Sequence, residues 1–295
     1  MAQKIRDQDS LRNAGNSTST ALITGSSSGF GLLTAVTLAQ RGWRVIATMR
    51  DLSRSEKLES AARAAGVLDC IEILPLDVTD NVQIAALAAT LAPREVHALV
   101  NNAGFAVAGF AEDVSDTELR RQFDTNFFAH AAVTRAFLPQ MRRQGFGHIV
   151  MVSSISGRTG FPGVSSYVAS KFALEGWTES LRMELNPLGI RVALVEPGPF
   201  DTGIWTRGTT VSKAAQDSSS PNATRASKLF QRVQGAKNRP NAQIVADCIA
   251  NVCEHPRPKL RYTVGSEARI ALILRALLPW SLFERLIVRS SGIDS

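Results

Sequence analysis

The stretch Ala21–Gly31, with the sequence ALITGSSSGFG, decides the fold. It begins with a short apolar run that contains β-branched residues, which is typical of a buried strand. A loop with three glycines follows, and a helical pattern then continues to Arg41 and ends at Gly42. This order predicts a dinucleotide site rather than a plain turn, because glycine lets the backbone approach a pyrophosphate and the helix N-terminus favours its charge.

The second predicted strand, 44–49, is followed by Arg50 and Asp51. Enzymes that prefer NAD commonly carry an acidic residue at the end of this strand, where it binds the ribose hydroxyls. Met49 holds that position here, and a guanidinium at the next residue can pair with a 2′-phosphate. The sequence therefore favours NADP(H) over NAD(H), although the adjacent Asp51 weakens this preference.

Apolar strand-like runs alternate with helical segments through the remaining chain, and such repeated units indicate a parallel sheet with ligands at the carboxyl ends of its strands. The predicted fold class is α/β: a single-domain, Rossmann-type doubly wound parallel sheet flanked by helices, spanning 20–264 after a flexible tail at 1–19. The further predicted strands are 71–76, 97–100, 147–152, 190–195 and 260–264, and the further helices are 53–65, 80–91, 115–143, 165–185 and 242–253.

A second stretch carries candidate chemistry, because Tyr167 and Lys171 lie four residues apart on the predicted helix 165–185. Residues i and i+4 share one helix face, so the two side chains point the same way. An ammonium near a phenol lowers a pKa that is normally about 10, which makes the tyrosine usable as an acid or base. An ordinary helix contact is the alternative for the pair taken alone.

Several motifs occur in a fixed order between residues 22 and 202, and together they resemble the short-chain dehydrogenase/reductase family. Within the family, segments 47–51 and 167–176 resemble the hydroxysteroid and retinol dehydrogenase-like branch. Many bacterial carbonyl reductases have the same short sequences at these two places. The motifs are a Thr-Gly-x-x-x-Gly-x-Gly loop at Thr24–Gly31, Asp77, an Asn-Asn-Ala-Gly strand end at Asn101–Gly104, Asn126, Ser154, Tyr167, Lys171, Pro197–Gly198 and Thr202.

The resemblance implies a catalytic tetrad of Asn126, Ser154, Tyr167 and Lys171. Tyr167 would exchange the hydroxyl proton, and Ser154 would bind the carbonyl oxygen. Lys171 would lower the pKa of Tyr167 and bind the nicotinamide ribose, and Asn126 would hold a water beside it. Arg50, with Ser27, would hold a 2′-phosphate, and no metal ligand is implied. The implied cofactor contacts are Gly25, Ser27, Ser28, Gly29, Phe30, Gly31, Arg50, Asp77, Val78, Asn102, Ala103, Gly104, Tyr167, Lys171, Pro197, Gly198, Phe200 and Thr202.

The substrate side is expected in a segment rich in Ser, Thr, Lys and Arg at about 199–242, which we call the lid. Loops of this length in a compact domain are commonly lids or disordered. Because most candidate pocket residues are apolar, we expect a hydrophobic carbonyl compound or secondary alcohol, although core packing explains each residue alone equally well. The candidates are Ser154, Tyr167, Phe105, Phe161, Pro162 and Trp205, with Val107, Phe110 and Val164 as further walls.

The C-terminal extension, 265–295, is predicted as two heavily apolar helices that are split by Pro279 and carry four interspersed arginines. Three interpretations remain open: a cover on the substrate pocket, a subunit interface in a homodimer or homotetramer, or an anchor on a membrane surface. The first two are favoured, because apolar residues occupy too much of the helix circumference for a two-faced interfacial helix.

Composition narrows the class of protein. Residues 199–295 hold 14 Lys and Arg against 7 Asp and Glu, whereas residues 1–198 hold 19 of each. This basic third can attract an anionic substrate or a membrane, or be a solvated surface, and no nucleic-acid-binding motif accompanies it. No transmembrane run or signal peptide is recognised, and the three cysteines match no metal site, so we expect a cytoplasmic protein.

The sequence thus predicts an NADP(H)-dependent oxidoreductase that transfers hydride between nicotinamide and a hydrophobic ketone, aldehyde or secondary alcohol. One alternative is a hydroxysteroid or retinol dehydrogenase at a membrane surface. An alternative of another class is a binding protein that senses NADP(H) without turnover, which the four filled catalytic positions disfavour.

Overall fold

The computed structural model describes residues 18–201, 209–235 and 239–293, so the predicted tail at 1–19 lies almost entirely outside the described residues. Within the described ranges the chain forms nine strands and ten α-helices. The strands are β1 (Thr20–Thr24), β2 (Arg44–Met49), β3 (Ile71–Pro75), β4 (Ala98–Asn101), β5 (Ala106–Ala108), β6 (Gly147–Val152), β7 (Ile190–Pro197), β8 (Thr209–Val211) and β9 (Arg261–Val264). The helices are α1 (Gly29–Gln40), α2 (Glu56–Ala64), α3 (Asn81–Leu91), α4 (Asp116–Phe123), α5 (Ala129–Gln144), α6 (Ser165–Leu185), α7 (Ala223–Gly235), α8 (Gln243–Glu254), α9 (Ser266–Leu277) and α10 (Trp280–Ser291).

Seven strands form one sheet in the order β3-β2-β1-β4-β6-β7-β9, and every neighbouring pair in it is parallel. The strand order reverses between β1 and β4, which is the switch point where doubly wound sheets bind ligands. The predicted Rossmann-type parallel sheet is therefore confirmed.

Helices cover both faces of this sheet because its strands are apolar on both faces. Successive side chains of β1 alternate between the faces: Ile23 packs with α1, α2 and α8, and Leu22 packs with α3, α5 and α6. Leu38 and Leu174 are fully buried, one on each face. Each such side chain contributes about 1.5–3 kcal/mol of transfer free energy.

The helix ends follow local sequence signals. Gly42 ends α1 with φ +85°, as predicted from its position after Arg41. The Asp80 carboxylate accepts hydrogen bonds from the backbone N–H groups of Val82 and Gln83 and so caps α3, which also matches the prediction. These caps set where each helix meets the sheet.

Two predictions of secondary structure need correction. The single helix predicted at 115–143 is divided, because a π-helical turn at Asp124–Phe128 separates α4 from α5. The lid is also more ordered than its composition indicates: its described part contains β8 and α7, and β8 pairs with β5. Neither β5 nor β8 has a periodic pattern of its own, because each is only three residues long and each depends on the other for hydrogen bonds.

Candidate active site

The glycine loop after β1 is folded tightly against the end of β4. A Cβ atom at Gly31 would lie 2.4 Å from the Gly25 carbonyl oxygen and 2.5 Å from Asn102 Nδ2. A Cβ atom at Gly25 would lie 2.7 Å from Ala103 Cα, and the φ of Gly25 is +72°. Both positions therefore require glycine for a physical reason that is visible in the structure.

Asn102 and Thr24 hold the shape of this loop. Asn102 Nδ2 donates hydrogen bonds to the carbonyl oxygens of Thr24 at 2.9 Å and Gly25 at 3.0 Å. Thr24 Oγ1 accepts in turn from the backbone N–H groups of Asn102 at 3.0 Å and Ala103 at 3.1 Å. The Asn102 side chain, predicted as a cofactor contact, thus stabilises the loop that would receive the cofactor.

The N-terminus of α1 is suited to an anion. Its N-cap residue, Ser28, makes no side-chain capping hydrogen bond, and the first turn contains no acidic residue. The first backbone N–H groups of the helix are therefore available to a phosphate, and the helix dipole favours negative charge there. Together with the glycine backbone, these features fit the pyrophosphate of a dinucleotide.

Arg50 follows β2 at the same edge of the sheet and is exposed. Among the described residues it makes no hydrogen bond or ion pair, whereas its neighbour Asp51 accepts hydrogen bonds from Ser53 N at 3.0 Å and Ser53 Oγ at 2.7 Å. These hydrogen bonds hold the pKa of Asp51 below its usual value. Asp51 is thus turned toward the start of the next helical segment, and Arg50 is available to a ligand.

The remaining predicted cofactor positions lie along the same edge. Asp77 follows β3, where its Oδ1 accepts hydrogen bonds from Thr79 N and Oγ1, and the neighbouring Val78 is buried. Gly198 follows β7 and donates its N–H to the Val264 carbonyl oxygen at 2.9 Å. The Phe200 ring packs edge-on against Phe30 of the glycine loop, with 6.1 Å between centroids. Thr202 lies outside the described residues.

Tyr167 and Lys171 lie on one face of α6, and both are at least 95% buried. The Ser154 side chain, two residues beyond β6, acts on the Tyr167 side chain in the direction that lowers the Tyr167 pKa, and Ser154 Oγ accepts from the backbone N–H of Ser156 at 3.1 Å. Lys171 Nζ donates to the Val152 carbonyl oxygen at 2.8 Å and lies 5.9 Å from the centroid of the Tyr167 ring. The structure therefore brings three of the four predicted catalytic side chains together at the edge where the glycine loop lies.

Burial has the largest effect on the pKa values of Tyr167 and Lys171. It raises the pKa of Tyr167, and the Ser154 side chain acts in the opposite direction. It also lowers the pKa of Lys171 to about 8, although the nearby Glu175 carboxylate favours the ammonium. The net pKa of Tyr167 is therefore raised, whereas the sequence predicted a lowered one, because desolvation of the phenolate is the largest effect on this residue.

Asn126, the fourth predicted catalytic residue, is fully buried in the π-helical turn between α4 and α5. Its Oδ1 accepts from the backbone N–H of Phe105 at 3.1 Å, and its Nδ2 donates to the Phe105 carbonyl oxygen at 3.0 Å. Nδ2 also lies 3.2 Å from Ser170 Oγ, and that hydroxyl donates to the Tyr167 carbonyl oxygen. Asn126 thus joins the loop after β4 to the helix of Tyr167, and the wide turn allows this contact.

His130 is a buried residue near the site that the sequence did not single out. Its Nε2 lies 2.7 Å from the Ala103 carbonyl oxygen, so Nε2 carries the proton of that hydrogen bond. Burial and the Lys171 ammonium lower the pKa of His130 to about 3, so the imidazole is neutral at physiological pH. It fixes the carbonyl of Ala103, which lies directly against the glycine loop.

An ionic cluster one turn beyond Lys171 was also missed. Arg261 on β9 pairs with Glu175 at 3.1 Å, with Glu196 at 3.0 Å and with the more exposed Glu179. Glu196 is fully buried and also pairs with Arg158, in the segment that follows Ser154. Burial raises the pKa of Glu175, and the Glu196 carboxylate adds to this effect. No sequence pattern indicated the cluster, because its members come from four separate segments.

Apolar residues surround Tyr167 on the side where the sequence places the substrate. Phe161 and Val164, which were predicted as pocket walls, cluster with Tyr167, and so does Phe230 of α7, which the sequence did not indicate. A Cβ atom at Gly163 would lie 2.3 Å from the Leu229 side chain, which shows how closely α7 approaches this loop. Phe105 and Pro162 are half-buried, and the Arg121 guanidinium lies 4.9 Å from the Phe105 centroid. Trp205 lies outside the described residues.

A doubly wound parallel sheet with a glycine loop at its switch point defines a Rossmann-type nucleotide-binding protein. The chain belongs to the short-chain dehydrogenase family, whose model matches residues 19–211. It is an oxidoreductase of this family, and the resemblance recognised in the sequence is confirmed.

Two curated relatives cover most of the chain. The uncharacterized oxidoreductase YusZ of Bacillus subtilis is 44% identical over 272 residues, which are 90% of this chain and 96% of the relative. Human retinol dehydrogenase 8 is 39% identical over 255 residues, which are 82% of this chain and 80% of that protein.

Solved structures share the fold. A short-chain dehydrogenase from Streptomyces avermitilis is 34% identical with a TM-score of 0.77, over 92% of this chain and 98% of the other. A metagenomic short-chain oxidoreductase in complex with NADP is 26% identical with a TM-score of 0.65, over 83% and 96%. An enzyme of the family from Burkholderia phymatum in complex with NAD is 26% identical with a TM-score of 0.73, over 88% and 95%. Similar structures thus bind either dinucleotide.

Proposed function

We propose that this oxidoreductase uses NADP(H) to interconvert a hydrophobic ketone or aldehyde and the corresponding alcohol, with Tyr167 as acid or base. One observation carries the proposal: Ser154, Tyr167 and Lys171 lie at the sheet edge that also holds the glycine loop, with Lys171 Nζ 5.9 Å from the Tyr167 ring centroid and bonded to the Val152 carbonyl oxygen two residues before Ser154. This arrangement supplies a proton donor and an oxygen-binding hydroxyl beside a dinucleotide site.

The proposed chemistry divides between cofactor and protein. When bound, the nicotinamide supplies hydride for the carbonyl carbon. Tyr167 donates its phenolic proton to the carbonyl oxygen, and its raised pKa keeps that proton in place at neutral pH. The Ser154 hydroxyl donates to the same oxygen and stabilises negative charge as it develops there. In oxidation of an alcohol, the same two side chains act in reverse.

Lys171 and Asn126 support this pair. The Lys171 ammonium lies 5.9 Å from the centroid of the Tyr167 ring, and it stabilises the Tyr167 phenolate that forms when the proton leaves. Asn126 holds the backbone of Phe105 and, through Ser170, the first turn of α6. We assign it the task of keeping these elements, and a water between them, in place for proton exchange with Lys171.

Arg50 supports NADP(H) as the cofactor. Its exposed guanidinium has no ion pair among the described residues, and a 2′-phosphate would supply one with bidentate geometry. Asp51, whose carboxylate weakened the preference for NADP(H), already accepts two hydrogen bonds from Ser53. One NADP complex among the similar structures agrees with this choice.

The apolar surroundings of Tyr167 support a hydrophobic substrate. Phe161, Val164 and Phe230 cluster with the tyrosine, so the side of the site opposite the cofactor loop offers mainly van der Waals contact. A retinoid or steroid alcohol is a second candidate, because human retinol dehydrogenase 8 is 39% identical to this chain. We further propose that α7 and its flanking segments act as the substrate lid.

The assembly and location are also proposals. Phe172 and Met183 lie on one face of α6 and are 46% and 71% exposed, which supports a homodimer or homotetramer formed through this helix. The cysteines Cys70, Cys248 and Cys253 are all free thiols, which supports a cytoplasmic location.

Replacing Tyr167 by Phe tests the function. We expect Tyr167→Phe to lower kcat by about 10³-fold, because the proton donor is removed, and to leave NADPH binding unchanged. Nicotinamide absorbance with a panel of ketones measures turnover, and quenching of protein fluorescence measures binding. Tyr262→Phe is the matched control, since Tyr262 lies on β9 and its hydroxyl accepts from Lys259 N–H. A Tyr167→Phe enzyme at the wild-type rate would refute the assignment, and a wild-type protein that binds NADPH without turnover would indicate a sensor.

A further inference from the structure

The last two helices, α9 and α10, concentrate exposed apolar surface. Six of the fifteen large hydrophobic side chains that are exposed among the described residues lie within this short hairpin. They are Ile270, Ile273, Leu277, Trp280, Leu282 and Leu286. Scattered single apolar residues on a surface are ordinary, but a contiguous patch indicates a binding surface.

On α9 the exposed residues form one stripe. Ile270, Ile273 and Leu277 are spaced three and four residues apart, so they share a helix face. Ala268, on the opposite face, is fully buried against the body of the protein. Leu277 is 75% exposed, although it is among the most apolar residues of the helix. The stripe therefore points away from the core, and the fold leaves it uncovered.

On α10 the outward face combines leucine with arginine. Leu282 and Leu286 alternate along it with Arg285 and Arg289, and all four are exposed. Phe283, on the other side of the helix, is 1% exposed and anchors it. The sequence did not show which apolar residues of α10 face inward, because inward-facing and outward-facing ones are adjacent in the chain. Their different exposure in the structure distinguishes the two faces.

The junction of the helices carries a tryptophan. Trp280 is half-exposed, and the Arg275 guanidinium lies 4.8 Å from its ring centroid. Tryptophan prefers the boundary between the headgroups and the acyl chains of a bilayer. Residues 266–293 contain four arginines and two glutamates, so the hairpin is net positive. Neither helix is a spanning segment, since no helix in the described ranges is long and apolar enough to cross a bilayer.

We propose that the α9–α10 hairpin docks the protein on an anionic membrane surface, with its leucines and isoleucines in the acyl boundary and its arginines among the headgroups. Charge decides between this partner and a second copy of the chain. A two-fold contact through the hairpin would bring the net positive charge of both copies into one interface, where like charges repel. An anionic surface pairs with all of them. The proposal does not depend on the catalytic assignment.

Vesicle co-sedimentation of the full chain tests the proposal. We expect it to bind vesicles of phosphatidylcholine with phosphatidylglycerol, to bind phosphatidylcholine alone much less, and to be released by salt. Arg285→Gln/Arg289→Gln should weaken binding to the anionic vesicles about 25-fold, since two surface charges are removed. Ile273→Gln/Leu277→Gln should weaken it roughly tenfold or more, because less apolar area enters the bilayer.

Val82→Gln/Ile244→Gln is the matched control, because both residues are exposed aliphatic side chains on helices outside the hairpin. These changes should leave binding to vesicles unaltered. Circular dichroism would show that every variant folds, and light scattering would report oligomeric state. A wild-type chain that does not sediment with anionic vesicles would overturn the proposal. So would an Ile273→Gln/Leu277→Gln variant that keeps its vesicle binding but dissociates an oligomer, because a second copy would then be the occupant.

Discussion

The proposed cofactor side and the proposed substrate side of the site are built in different ways. On the cofactor side, Thr24, Gly25 and Asn102 are tied together by side-chain-to-backbone hydrogen bonds of 2.9–3.1 Å. On the proposed substrate side, Phe161, Val164 and Phe230 meet by apolar packing, and all three lie on loops or on α7 rather than on the sheet. Hydrogen bonds fix atomic positions, whereas apolar contacts tolerate exchange of shape.

This difference indicates which side of the site tolerates amino-acid substitutions. A cofactor loop that needs glycine and paired polar groups loses its shape when one atom is added. An apolar wall can be remodelled at the cost of packing free energy alone. Substitutions on each side of the site can therefore break or sharpen this contrast.

Gly31→Ala should break the cofactor side. The added methyl would lie 2.4 Å from the Gly25 carbonyl oxygen, so the loop must open, and we expect NADPH to bind about 100-fold more weakly. Fluorescence titration with NADPH measures the loss. Gly160→Ala is the matched control, because no atom lies within 4 Å of the added Cβ on that side of the site. Equal effects of the two substitutions would contradict the contrast.

Arg50→Gln should change cofactor preference without changing the loop. A charged hydrogen-bonding contact to phosphate is worth about 1.5–3 kcal/mol, so kcat/KM with NADPH should fall roughly 30-fold. The value with NADH should hardly change, because that cofactor has no 2′-phosphate. Arg54→Gln serves as control, since Arg54 lies close by and, like Arg50, lowers the pKa of Asp51 by its charge. If Arg50→Gln lowers both values equally, Arg50 does not select the cofactor.

Phe230→Ala should remodel the substrate side. Phe230 packs with Tyr167 and Val164, so its loss enlarges the apolar wall while leaving the glycine loop intact. We expect KM for a bulky apolar ketone to change about tenfold, with NADPH affinity unaltered. Gln231→Ala, at the exposed neighbouring position on α7, should change neither quantity. A loss of NADPH affinity in Phe230→Ala would show that the two sides are not independent.

The contrast also explains what the sequence could predict. The glycine loop, Arg50, Asp77 and Ser154 each begin within two residues of a strand end, so strand order alone predicted that they share one edge. No comparable rule predicts the position of Phe230, because α7 lies in the lid, far along the chain from Tyr167. The pattern of apolar residues on a short helix shows which face will be buried, but not which part of the protein that face will pack against.

Buried polar residues set a second limit. In the sequence, His130 and Glu175 look like ordinary helix residues. Only the structure shows that His130 contacts Ala103 and that Glu175 contacts Arg261. The π-helical turn around Asn126 is similar, since its hydrogen bonds go to the distant Phe105 backbone. Such positions depend on tertiary partners, which local periodicity does not encode.

Glu175→Gln should produce the smallest and most specific effect, a change in pH dependence. The Glu175 carboxylate raises the pKa of Lys171, which burial lowers to about 8. Lys171 loses its charge as pH rises through this pKa, so removing the carboxylate should move the alkaline limb of kcat/KM to lower pH. Glu179→Gln is the matched control, because Glu179 pairs with the same Arg261 but is half-exposed. An unmoved limb in Glu175→Gln would mean that the charge of Glu175 does not reach the proposed proton path.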